Sequence, residues 1–84
     1  MKMGPKPKHI LEVVNFLEKI DIHDFESSEM YNRFKQDLRE NNVMTPRYIP
    51  NSPGLITNYL RNVTRVLENY FSPSVLPKPC KAYL

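Results

Sequence analysis

The residues of this chain able to do chemistry are few and scattered. His9 and Glu12 stand three apart, and His23 lies beside Asp24 and Glu26, so either set offers a pair of metal ligands. Two ligands do not close a tetrahedral site, and no third or fourth stands at a spacing that would complete one. These histidines are expected to be solvated surface or helix-end groups. Ser27 and Ser28 follow His23 closely, yet a nucleophilic serine needs a sharp turn to present it and a third group to orient its base. Helix capping accounts for both serines. Gly4 and Gly54 are the only glycines, too few for a glycine-rich phosphate loop. No catalytic residue, metal or cofactor is assigned, and the chain is expected not to be an enzyme.

One surface has the residue types for recognition instead. Asn58, Arg61 and Arg65, flanked by Thr57, Asn62 and Thr64, recur at helical spacing along one polar face. Arginine and asparagine make bidentate contacts to guanine and adenine edges, and threonine hydrogen-bonds phosphate. From Asn41 to Leu67 there is no carboxylate, while Arg47, Arg61 and Arg65 all fall there. Residues 1–8 add Lys2, Lys6 and Lys8. The net charge of +3 hides a segregation: residues 9–29 set one lysine against six carboxylates, and residues 30–84 set eight cations against three. Such a field attracts polyanions or an acidic protein surface.

The elements that must position these groups follow from periodicity and punctuation. Residues 1–7 hold Pro5 and Pro7 and form an extended basic arm. A first helix over about 8–20 carries Ile10, Leu11, Val13, Val14, Phe16, Leu17 and Ile20 across an apolar arc of roughly 220°. So wide an arc predicts burial from more than one side, which makes this the central helix. After a break at residues 21–24, a second helix over about 25–41 has Ser27 or Ser28 as its N-cap and the Asn41-Asn42 pair at its left-handed end. Its apolar stripe of Met30, Tyr31, Phe34 and Leu38 is narrow. Residues 43–50, with Pro46 and Pro50, read as an ordered loop in which Tyr48 packs beneath the chain and Arg47 offers a clamp for a phosphate.

The third helix, over about 53–71, starts with Ser52 as N-cap and Pro53 at the first helical position. Its nine apolar residues, from Leu55 to Phe71, fit within an arc of roughly 160°, with Thr64 outside it. Ser72-Pro73 stops it. Residues 72–84, with Pro73, Pro77 and Pro79, form an extended tail bearing Cys80, Lys78 and Lys81.

Eighty-four residues make one domain, in which a chain this short buries only roughly 60 to 65% of its unfolded surface. With 40% hydrophobic residues, five tyrosines and four phenylalanines, the composition supports a core and excludes a disordered segment. The lone Cys80 excludes an internal disulfide and suits a reducing cytoplasm. Glu12 and Asn15 interrupt the first apolar stretch, unlike a secretory leader, and no run approaches the ~20 apolar residues of a membrane span. In the absence of an export signal, Asn62-Val63-Thr64 is a chance match to a glycosylation acceptor.

The expected fold class is therefore all-α, a compact three-helix domain (residues 8–71) with a basic N-terminal arm and a Pro-rich C-terminal tail. The arrangement resembles helix-turn-helix domains, in which the last helix is the reader. It departs from them where roughly 10 residues join the last two helices instead of 3 to 4. The acid-free, arginine-bearing span from Asn41 to Leu67 together with the basic arm points to a small regulator or accessory protein binding nucleic acid, duplex DNA foremost, in the cytoplasm or wherever the DNA lies. Lys6, Lys8 and Arg47 would lie on phosphates; Thr57, Asn58, Arg61, Asn62 and Arg65 would face the groove. The alternative is a protein-interaction module or small subunit, a homodimer or the binder of an acidic partner, because an acidic first third faces a basic remainder. No membrane role is expected.

Overall fold

The computed structural model describes residues 8–43 and 52–84, with side chains of the first stretch from Ile10 onward. The expected arm, the loop with Arg47 and Tyr48, and the side chain of Lys8 lie outside the described residues. The rest is all-α: α1 (Lys8–Lys19), α2 (Ser28–Glu40) and α3 (Pro53–Leu67), with single 3₁₀ turns at Ile22–Asp24 and Pro73–Val75 and a longer 3₁₀ segment at Lys78–Tyr83. No strand occurs among the described residues.

α2 and α3 each begin where a side chain satisfies free N–H groups. Ser27 Oγ accepts from Met30 N at 3.1 Å and Ser52 Oγ from Leu55 N at 3.4 Å, with Pro53 just inside α3. Between α1 and α2, Asp21 caps the Ile22–Asp24 turn: its side chain accepts from His23 N while Asp24 Oδ2 accepts from Asp21 N, both at 2.9 Å. α2 ends at Asn42, whose φ of 58° is the left-handed step an asparagine side chain tolerates. That step turns Val43 inward, where it is fully buried and donates to Leu38 O at 2.7 Å.

The packing corrects three expectations. α3, not α1, lies at the centre: it contacts both α2 and the Lys78–Tyr83 segment, and it holds six buried residues. The tail is not extended. Its prolines forbid a long α-helix but not short 3₁₀ turns, and the Lys78–Tyr83 segment packs against both α1 and α3. Leu76 and Cys80 are buried there, so the tail is a wall of the core and covers part of the wide arc of α1. Finally, α3 closes at Leu67 instead of continuing to Phe71. The following residues tighten, with Asn69 N donating to Val66 O and Tyr70 N to Leu67 O.

That tightening brings Tyr70 and Phe71 onto an aromatic cluster around Phe25. Ring centroids lie 5.1 Å apart for Phe25–Phe34, 5.5 Å for Phe25–Phe71 and 5.2 Å for Phe34–Tyr70. Edge-on and tilted pairs of this kind contribute about 1 kcal/mol each beyond their buried area. The Tyr70 hydroxyl also donates to the Asp37 carboxylate, joining the end of α3 to α2. Burial first, then that hydrogen bond and the Asp37 charge, push the Tyr70 phenol up to about 12, against the opposing effect of nearby Arg33.

Candidate nucleic-acid interface

α3 buries one face and offers the other. Its buried residues Tyr59, Leu60, Val63, Thr64, Val66 and Leu67 cover an arc of roughly 160°. That arc has the expected width but is rotated by about 20° from the expected position. Leu55, expected inside, is 58% exposed, and Thr64, expected on the polar flank, is fully buried. Threonine has the shape of valine, and its hydroxyl is satisfied locally: Thr64 Oγ1 donates to Cys80 O at 3.5 Å. Thr64 therefore anchors the tail and does not face solvent.

The remaining predicted residues of α3 do share the outer face. Asn58, Arg61 and Arg65 are exposed, and Thr57 and Asn62 are half-buried at its margins. Residues three and four apart on a helix stand about 5–6 Å apart at Cβ, so Arg61 and Arg65 are adjacent, with Asn58 and Asn62 beside them. From Asn58 to Arg65 the row rises about 10 Å along the axis, the length of about three base-pair steps. None of these side chains makes a hydrogen bond within the described residues, although the Arg65 carbonyl accepts from Asn69 Nδ2 at 3.1 Å. Glu68, exposed just past α3, is the nearest acid in sequence. At the other end, a Cβ on Gly54 would meet no atom of the described residues within 4 Å.

A second polar surface went unnoticed in the sequence. Asn32, Lys35, Gln36, Arg39 and Glu40 line a shallow depression of about 500 Å3 on the outer face of α2. Their spacing places them on one side of the helix, opposite Phe34, so the signal was present as the wet face of a narrow-stripe helix. Gln36 Nε2 donates to Glu40 at 3.0 Å, and Lys35 Nζ lies 4.9 Å from the Tyr31 ring centroid, so part of this face is already engaged.

Behind α3 two ionisable side chains, Tyr59 and Cys80, are buried. Cys80 is fully buried; desolvation raises its thiol pKa, which the Thr64 hydrogen bond partly opposes, so the reactive thiolate is disfavoured. The Tyr59 hydroxyl is buried without a hydrogen-bond partner among the described residues. Desolvation, with a smaller contribution from Cys80, pushes its phenol up to about 12. Among the described residues no group of three or more histidine, cysteine, aspartate or glutamate side chains gathers as a metal site would require. No described helix is long and apolar enough to cross a membrane.

The chain matches no protein-family model, and neither a curated protein nor a solved structure is significantly similar to it. Its function must therefore be argued from its own surface.

Proposed function

We propose that this chain is a small nucleic-acid-binding protein, a regulator or accessory factor without catalysis of its own, in which α3 enters the major groove of duplex DNA. The observation that carries this reading is the outer row of α3. Asn58, Arg61 and Arg65 are exposed, engaged by no hydrogen bond among the described residues, and flanked by no acid between Pro53 and Leu67. A helix about 10–12 Å across fits a groove about 12 Å wide. Arg61 and Arg65 then reach guanine edges or phosphates, Asn58 an adenine edge, and Thr57 and Asn62 the flanking backbone. The packing of α2 against α3 supports the helix-turn-helix-like reading, with α2 as the supporting helix. Lys6, Lys8 and Arg47, whose side chains lie outside the described residues, would add phosphate contacts in this reading.

The test is binding of a fluorescent duplex across a salt series, with wild type beside the double variant Arg61→Ala, Arg65→Ala. Both arginines are exposed, so the variant should melt like the wild type. If each arginine neutralises one phosphate, the double variant should flatten the slope of log K against log salt by about 2 units; if they read bases instead, discrimination between sequences should fall. No binding of the wild type at low salt, or a variant that matches it in slope and sequence preference, overturns the proposal.

A further inference from the structure

The Lys78–Tyr83 segment docks at the edge of the outer row of α3. At about 100° per residue, Thr64 stands about 60° from Arg61 and about 100° from Arg65 around the helix, on the border of that row. Thr64 Oγ1 donates to Cys80 O at 3.5 Å, so the tail backbone meets α3 along this border. Bond lengths then hold the Lys81 Cα within about 9 Å of the Thr64 Cα. The segment is 3₁₀, in which residues three apart eclipse one another, so Lys78 and Lys81 share one side of it about 6 Å apart. Cys80, off that side, is fully buried, whereas both lysines are exposed. Packing does not use them: Leu76, Cys80 and Tyr83 hold the tail to the core. Neither lysine side chain makes a hydrogen bond among the described residues. From Asn69 to Leu84 there is no Asp or Glu, and Glu68, about 40° from Thr64, is the one acid on this border.

We propose that Lys78 and Lys81 form a cationic ridge that binds the phosphates of the strand bordering the groove, which makes the C-terminal tail part of the nucleic-acid interface. This inference rests on the reading of α3 given above and adds residues to it. A helix about 10–12 Å across fills a groove about 12 Å wide, so a segment lying against one flank of the helix meets the sugar-phosphate wall on that side. The separation of the two lysines is close to the axial rise of about two nucleotide steps on one strand. A lysine ammonium is a compact charge on a flexible stem; at the backbone it positions the protein and carries no sequence information. Thr64 thereby sets the register of the ridge against Arg61 and Arg65, because its hydroxyl ties the tail to α3 between them and the core.

Titration of a fluorescent duplex with the full chain across a salt series tests the ridge. Four proteins are compared: wild type, the arginine double variant above, Lys78→Gln with Lys81→Gln, and Lys35→Gln with Arg39→Gln. The last pair removes the same charge from the exposed face of α2. All the altered side chains are exposed, so circular dichroism melts should match the wild type. The tail variant should flatten the slope of log K against log salt by about 2 units and leave the order of preference among duplex sequences unchanged. The α2 variant should flatten it by less than half as much. A wild type that fails to bind at low salt overturns the reading of α3 and the ridge with it. Where the wild type binds and the arginine pair matters, a tail variant with an unchanged slope, or one equalled by the α2 variant, overturns the ridge alone.

Discussion

Replacing Tyr59 by phenylalanine should make the protein more stable, contrary to the usual effect of deleting a buried tyrosine hydroxyl. The Tyr59 ring lies in the core, 9% exposed, and its hydroxyl has no hydrogen-bond partner among the described residues. A buried hydroxyl left unpaired costs about 1–3 kcal/mol in lost hydration. Removing it forfeits only the dispersion contacts of one oxygen, so Tyr59→Phe should gain about 1 kcal/mol, a rise of about 4–8 °C in melting temperature for a domain of this size. The pH dependence gives a second, independent check. The folded-state pKa of this phenol is about 12, above the ordinary value of 10.0 it regains on unfolding. Below pH 10 both states hold the proton and the stability is undiminished. Between pH 10 and 12 the unfolded state ionises first, and stability is lost as pH rises through that window. At pH 11 the loss amounts to about 1.4 kcal/mol, which the variant escapes. Tyr70 is raised to about 12 as well, but it titrates in both proteins and cancels in the difference. Urea and thermal melts by circular dichroism at pH 7 and pH 11 provide the measurement. A variant that melts several degrees below the wild type, or an advantage that does not widen at the higher pH, would refute the reasoning.

Two further substitutions probe how the helices are placed and ended. Val63 is fully buried on the inner arc of α3, so Val63→Asp should cost about 4 kcal/mol or more, a large part of the stability of a small domain, and leave the far-UV dichroism spectrum largely unfolded at 25 °C. A wild-type melting curve would mean that α3 is oriented differently. Asn42, at φ 58°, should tolerate glycine with little change in melting temperature, whereas Asn42→Ala should lose about 1 kcal/mol in urea melts. Equal effects of the two would remove the backbone explanation of how α2 ends.

The helices were legible because their signals are local. The 3.6-residue apolar period, Ser27 and Ser52 as caps, and Asn42 as the left-handed stop all act within one or two turns, so sequence neighbours suffice to read them. The tail is the exception: its prolines suggest extension, but proline excludes only the α-helical ladder. Leu76, Cys80 and Tyr83 recur four and three residues apart, a one-sided pattern that marked a packed face despite the prolines. Thr64 was misassigned for a related reason: it borders the apolar arc, and only a partner sixteen residues onward decides whether that border is wet or dry. Of the candidate interface, the common face of Asn58, Arg61 and Arg65 followed from spacing alone. The loss of Thr64 from that flank did not, since it depends on where the tail docks.

The docking of residues 78–83 onto α1 also bears on how the chain matures. α1 finds cover about 60–70 positions downstream, where the Lys78–Tyr83 segment packs on it. During translation α1 emerges early with that face uncovered, and the ribosome must release residue 83 before the gap can close. In that interval the nascent chain presents an amphipathic helix with an open apolar side, the kind of surface that chaperones retain and that drives misassembly when synthesis stalls.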